Sequence, residues 1–208
     1  MQNLEKIFKK FSKNKIFIDV KGKYITYEDF YKKSAGFSLY LKKKDKSIYG
    51  KRIFLKMERS TNYFIAILGL CYLGVTIFPI PVKMPVSELN ELRRKYKPHH
   101  EIDNLKFTKH TKNNINNKNL NNSKIIFFTS GTTGEPKGIV HKISNLLNSA
   151  NKFSQLAQYK KNKRVLHNWP HYYMAGFFNM FLCPFVTGSP IYFDEEININ
   201  SYLKYWNN

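Results

Sequence analysis

The 208-residue chain carries 35 Lys and Arg against 14 Asp and Glu, a formal net charge of +21, with 42% hydrophobic and 16% aromatic residues. That apolar content excludes a disordered polyelectrolyte and calls for a packed core, in one ordinary domain or part of a larger one. Two cysteines, Cys71 and Cys183, exclude a disulfide-framed secreted module, and both sit in apolar runs where a buried, reduced thiol is expected.

In chain order, the basic N-terminus MQNLEKIFKKFSKNK has no apolar core of signal-peptide length, which points to a cytoplasmic protein. Strands are predicted at 16–20 and 23–27, then a helix over 28–42. Thr26 and Asp29 have capping-box spacing at its start, and Phe30, Ser34, Phe37 and Leu41 form one stripe along it. A strand follows at 52–57. Residues 60–82 carry no charge and are long enough to span a bilayer. Gly74, Pro79 and Pro81 break the run, Ser60 can cap its start, and basic residues flank both sides, so it reads instead as a buried helix over 60–73 and a buried strand over 76–82. A helix is predicted over 86–97. Residues 110–124 are Asn/Lys-rich and read as a flexible surface loop. A buried strand is predicted at 124–130, a Gly/Thr-rich turn at 131–138, a short strand at 138–142 and a helix over 144–159. After RVLHNW at 164–169 come a helix over 174–186, a strand at 190–193 and an amphipathic stretch over 198–206. Strands alternate with helices, so the fold class is α/β.

The stretch that carries chemistry is Phe127 to Gly138, F-F-T-S-G-T-T-G-E-P-K-G. An apolar strand delivers a bend holding the hydroxyls of Thr129, Ser130, Thr132 and Thr133. Gly131 and Gly134 permit positive φ and close approach of backbone N–H groups to a ligand. Pro136 biases Glu135 to extended geometry, and Lys137 adds a mobile cation. Such a concavity suits a polyphosphate. It is not a Walker A loop, because Pro136, Lys137 and Gly138 stand where Gly-Lys-Ser/Thr is required.

T-S-G-T-T-G-E-P-K-G after an apolar strand resembles the phosphate-binding signature of the adenylate-forming (AMP-binding, acyl-CoA synthetase and nonribosomal adenylation domain) superfamily. Other segments agree. Tyr24-Ile25-Thr26-Tyr27 resembles the family's opening segment. Leu68 to Val75 followed by Pro79-Ile80-Pro81 resembles its A-x-x-A-G-A helix and strand. Trp169 to Gly176 resembles P-x-x-H-x-x-G, and Phe185 to Ser189 resembles L-x-x-G-G. The resemblance runs from about residue 17 to 193.

The resemblance implies the N-terminal portion of the large domain of an adenylate-forming enzyme, incomplete at its C-terminus. It implies ATP-dependent activation of a small-molecule carboxylate as an acyl-adenylate, with Mg²⁺ sharing the phosphate work. Transfer to a thiol of coenzyme A or of the phosphopantetheine of an acyl carrier protein usually follows. It assigns the ATP phosphates to Thr129, Ser130, Gly131, Thr132, Thr133, Gly134 and Lys137. It assigns the substrate pocket to His171, Tyr173 and Gly176, and no metal ligand. The family's frequent His is Tyr173 here, with His171 two positions earlier, and His141 has no assigned role. The family's adenine, ribose and hinge segments and its catalytic Lys come later than anything in 1–208, so the chain reads as one partial domain with the C-terminal catalytic domain absent, inactive alone or completed by a second polypeptide.

Two other readings stand beside this one. A non-catalytic remnant or partner-docking fragment is motivated by the missing segments. A basic nucleic-acid or membrane-surface binder is motivated by the +21 charge. The excess is mostly Lys, scattered from Lys6 to Lys204, with few Arg for bidentate recognition, so neither specific nucleic-acid binding nor a membrane span is expected.

Overall fold

The computed structural model describes residues 4–19, 21–105, 117–129 and 136–193, together with Asn200 and Leu203, and among the described residues nine strands form two sheets. The chain falls into two compact units. The first comprises Met1–Lys32, Arg59–Thr61 and Ser144–Asn208, the second Lys33–Glu58 and Asn62–Ile143.

In the first unit, α1 (Leu4–Phe11) precedes a hairpin of β1 (Lys15–Ile18) and β2 (Tyr24–Thr26). The sequence reading gave α1 no element. Its burial of Leu4, Ile7, Phe8 and Phe11 is the spacing of an amphipathic helix, its lysines occupying the other face. Thr26 caps α2 (Tyr27–Lys44) as its spacing to Asp29 predicts. The Asp29 N–H donates to Thr26 Oγ1 at 3.1 Å, and that hydroxyl donates to Asp29 Oδ2 at 2.8 Å. The boundary between the units falls within α2. The long helix α5 (Ile143–Leu156) leads to β8 (Val165–Leu166), and β9 (Ile191–Tyr192) closes the sheet order β2-β1-β9-β8, with β1, β9 and β8 parallel.

Between β8 and β9 one helical run contains α6 (Met174–Phe177), a π-helical turn (Phe178–Leu182) and α7 (Cys183–Thr187). Pro184 lacks the N–H and would crowd the carbonyl four residues back, and the wide turn just before it relieves both problems. The run packs aromatic against aromatic. Phe185 stacks on Tyr27 at 5.5 Å and meets Phe8 edge-on at 5.5 Å, while the Tyr27 hydroxyl donates to the Phe185 carbonyl at 2.8 Å.

The second unit holds the order β5-β3-β4-β6-β7. β3 (Arg52–Leu55), β4 (Thr76–Pro79), β5 (His100–Ile102) and β6 (Lys124–Thr129) are parallel, and β7 (Lys137–Lys142) runs antiparallel to β6. Ile53, Phe54, Leu55, Ile77 and Phe78 are all buried, the continuous apolar pattern of strands covered on both faces. The uncharged run supplies α3 (Thr61–Cys71), buried at every position from Tyr63 to Cys71. Gly74 then turns the chain at φ +65° into β4. Among the described residues no helix is long and apolar enough to cross a membrane. Cys71 and Cys183 are buried and free, and burial pushes their thiols up to about 12 and about 11.

The Asn/Lys-rich stretch differs from its expectation at its end. Asn117–Asn122 form a 3₁₀ helix, Leu120 is buried, and the buried Ser123 hydroxyl donates to the Cys71 carbonyl at 2.5 Å. Polar composition hid this, because two residues do the anchoring. Residues 110–116 and most of 198–206 lie outside the described residues.

α4 (Val86–Tyr96) covers one face of the sheet. Leu89 and Leu92 join Phe54, Phe78, Ile80 and Ile126 in one buried cluster, with Tyr96 and Phe128 packed at its margin. On α3, a Cβ at Gly69 would stand 2.8 Å from the Ser34 carbonyl oxygen and 2.9 Å from Phe37 Cδ1. The Gly69→Ala variant should therefore lose about 1–3 kcal/mol of stability, read as a lowered midpoint in denaturant unfolding. An unshifted midpoint would contradict this close approach of α3 to α2.

Candidate functional site

The hydroxyl-rich motif straddles the β6–β7 connection. Ile125, Ile126 and Phe127 are buried and fix β6 in the sheet, while Thr129 at its end is exposed. The register pairs Phe128 with Gly138 and Thr129 with Lys137, so a hydroxyl and an ammonium-bearing residue face each other across the neck of the loop. Thr129 Oγ1 donates to the Lys137 carbonyl at 3.3 Å, and both residues are exposed. Of the predicted phosphate contacts, the structure thus brings Thr129 and Lys137 together. Ser130, Gly131, Thr132, Thr133 and Gly134 lie outside the described residues.

The neck is braced from behind. Tyr96 meets Phe128 edge-on at 5.4 Å and Phe78 at 5.2 Å. A Cβ at Gly138 would lie 2.8 Å from Ile126 Cγ2 and 3.0 Å from the Tyr96 hydroxyl. Gly138 thus lets β7 close over this aromatic cluster. Sequence reasoning missed Tyr96, although it falls on the Leu89–Leu92 stripe of its helix. His141, opposite Ile125 in β7, lies 6.0 Å from the Phe127 ring.

The segment predicted to line the acyl pocket lies in the first unit, after β8. The His167 N–H donates to the Tyr192 carbonyl at 2.9 Å, and Arg59 Nη1 donates to the His167 carbonyl at 2.6 Å. The His167 ring is buried and meets Phe193 edge-on at 5.3 Å. Burial pushes its imidazole down to about 3, and the Arg59 charge acts in the same direction. Of the three predicted pocket residues, His171 is buried and Tyr173 is 51% exposed. Gly176 is buried where a Cβ would fall 2.1 Å from the Pro170 carbonyl oxygen, so its first duty is close backbone packing. Tyr172 and Tyr173 pack at 4.7 Å, and burial raises the Tyr172 phenol above its ordinary value. Arg59 carried no signal in the sequence beyond a flanking charge. Among the described residues no group of three His, Cys, Asp or Glu could hold a metal ion.

His167 makes stability depend on pH. Its folded pKa of about 3 lies below the ordinary 6.5, so between these values the unfolded chain binds more proton than the folded one. The contribution of the neutral ring is complete above 6.5 and declines as pH falls toward 3, by up to ~1.4 kcal/mol per pH unit. Urea unfolding of the native chain should weaken more steeply between roughly pH 6 and pH 4 than that of His167→Phe. Parallel pH profiles for the two proteins would contradict the assignment.

The model of the AMP-binding enzyme family matches residues 93–205. A CoA ligase of Gibberella moniliformis is 24% identical over 187 residues, which cover 76% of this chain and 31% of that protein. Among solved structures, the NpsA N-terminal subdomain of Klebsiella oxytoca, in complex with 3-hydroxyanthranilyl-AMSN, superposes with a TM-score of 0.80 at 16% identity, covering 96% of this chain and 54% of that one. ATP-bound MatB from Rhodopseudomonas palustris superposes with a TM-score of 0.81 at 14% identity, covering 99% of this chain and 47% of that one. The chain thus spans about a third of the length of this curated ligase and about half of these solved chains. With the family model covering more than half of its residues, and with an α/β fold shared with adenylate-forming structures, the chain belongs to the AMP-binding enzyme family.

Proposed function

We propose that this chain carries the nucleotide-phosphate grip of an AMP-forming carboxylate ligase. The observation that carries the reading is the T-S-G-T-T-G-E-P-K-G run, seated on the β6–β7 connection with Thr129 and Lys137 across its neck, in a chain of the AMP-binding enzyme family. In this reading Thr129, Ser130, Thr132 and Thr133 offer hydroxyls to the ATP phosphates, Gly131 and Gly134 offer backbone N–H groups, and Lys137 offers positive charge. A carboxylate oxygen attacks the α-phosphorus, the bond to the bridging oxygen breaks, and pyrophosphate leaves with that oxygen. Holding the triphosphate in line removes orientational freedom, and fixed donors stabilise charge on the departing group. Mg²⁺, when bound with the nucleotide, would share with Lys137 the neutralisation of the phosphate charge. The acyl-adenylate then passes its acyl group to a thiol of coenzyme A or of a carrier protein, releasing AMP. His171, Tyr173 and Gly176 belong to the segment that receives the acid.

The test has two parts. ATP binding to the 208-residue chain should weaken in Thr132→Ala and in Lys137→Ala by about 1–3 kcal/mol each, roughly 5- to 150-fold in Kd. Carboxylate-dependent exchange of labelled pyrophosphate into ATP, over a broad panel of acids, should appear when the segments that complete the family's longer members are supplied. Undiminished ATP binding in both variants would remove the phosphate role. Absence of exchange with every acid in the completed protein would remove the ligase reading.

A further inference from the structure

Resting on that functional reading, we infer that Arg59 is a positioning residue for the acyl-side segment: its bond to the His167 carbonyl fixes where Trp169, His171 and Tyr173 stand. Arg59 belongs to the short stretch Arg59–Thr61 that clusters with the first unit. It reaches the residues that follow two adjacent parallel strands. Nη1 bonds the carbonyl of His167, the residue after β8, at 2.6 Å, and the guanidinium carbon lies 5.0 Å from the ring of Phe193, the residue after β9. Phe193 is itself held, buried and donating its N–H to the Ile18 carbonyl at 2.9 Å. The space beyond the carboxyl ends of parallel strands is where open α/β sheets place ligands.

His167 is therefore bonded through both backbone groups, to Tyr192 on one side and to Arg59 on the other. At the far end of the segment, Tyr173 N–H donates to the Pro170 carbonyl at 3.3 Å, Phe177 N–H to the Tyr173 carbonyl at 3.0 Å, and Gly176 seats against Pro170. Between these anchors the chain presents the half-exposed rings of Trp169 and Tyr173 and tucks His171 inward. Removing the Arg59 bond takes away the restraint on the His167 carbonyl and leaves its N–H bond to Tyr192 in place. A charge-assisted bond from a flat guanidinium resting on a ring restricts more than a lysine ammonium at the same place, because ammonium is a flexible point charge.

Arg59→Lys and Arg59→Gln test this, with melting temperature measured first. In the completed ligase both should raise KM for the carboxylate, by on the order of tenfold for Arg59→Gln and less for Arg59→Lys, while KM for ATP stays unchanged. Equal rises in both KM values, or an unchanged carboxylate KM in a folded variant, would overturn the inference. Independently of any turnover, the Trp169, His171 and Tyr173 side-chain NMR resonances of the 208-residue chain should shift in Arg59→Lys and Arg59→Gln, while those of the Thr129 and Lys137 backbone stay fixed. Unmoved Trp169, His171 and Tyr173 signals overturn the positioning role even if exchange is observed. Shifted signals in a protein that exchanges with no acid sustain the positioning role and remove the ligase reading instead. Should Arg59→Gln fail to fold, Phe193→Leu, which leaves the Arg59 bond but withdraws the ring beneath it, carries the same expectations at smaller amplitude.

Discussion

The antiparallel pairing of β6 with β7 is the constraint on which the nucleotide reading depends. A loop can grip phosphates only if its two ends are held so that its groups need not be reordered on binding. Here the ends are held twice. The ladder from Lys124–Lys142 to Thr129–Lys137 fixes their separation. The aromatic packing of Phe78, Tyr96 and Phe128 fixes the plane from which the loop departs. Gly138 is what makes both compatible, because a side chain there would push into Ile126 and the Tyr96 hydroxyl. The last residue of the motif thus serves the sheet.

Much of this arrangement was legible because it rests on local rules. The Thr26–Asp29 cap follows from the affinity of a hydroxyl for an unpaired helical N–H, and it forms as spaced. The uncharged run at 60–82 read as helix and strand because prolines and Gly74 cannot continue a spanning helix, and α3 with β4 is what forms. The neck of the β6–β7 connection was legible because an apolar strand, a Gly-bearing turn and a second strand leave few alternatives.

What the sequence hid is non-local. α1 was read only for charge and for signal-peptide character, yet its stripe of Leu4, Ile7, Phe8 and Phe11 has meaning once Phe185 and Tyr27 are present to receive it. β5, with three residues and a single ladder to β3, is too short to carry a period. Ser123 bonds a carbonyl 52 positions away, and Arg59 one 108 positions away. No window of sequence contains both partners of either bond. The loop hydroxyls between Ser130 and Gly134 lie outside the described residues, so the motif itself remains their warrant.

The two candidate segments also show why different devices are needed to hold them. An antiparallel neighbour returns immediately, so the backbone ladder itself captures the chain leaving β6. A parallel neighbour cannot return without a crossover, and the chain leaving β8 passes through twenty-four residues before β9 begins. Past the strand end the ladder continues with the His167 N–H bond to the Tyr192 carbonyl. A side chain from elsewhere adds a restraint on the His167 carbonyl, and a guanidinium suits the task, since it can bond a carbonyl in its plane while its face rests on an aromatic ring. The glycine at the far end answers the same need by allowing backbone to approach backbone. Arg59 at one end and Gly176 at the other substitute for the return strand that parallel topology does not provide.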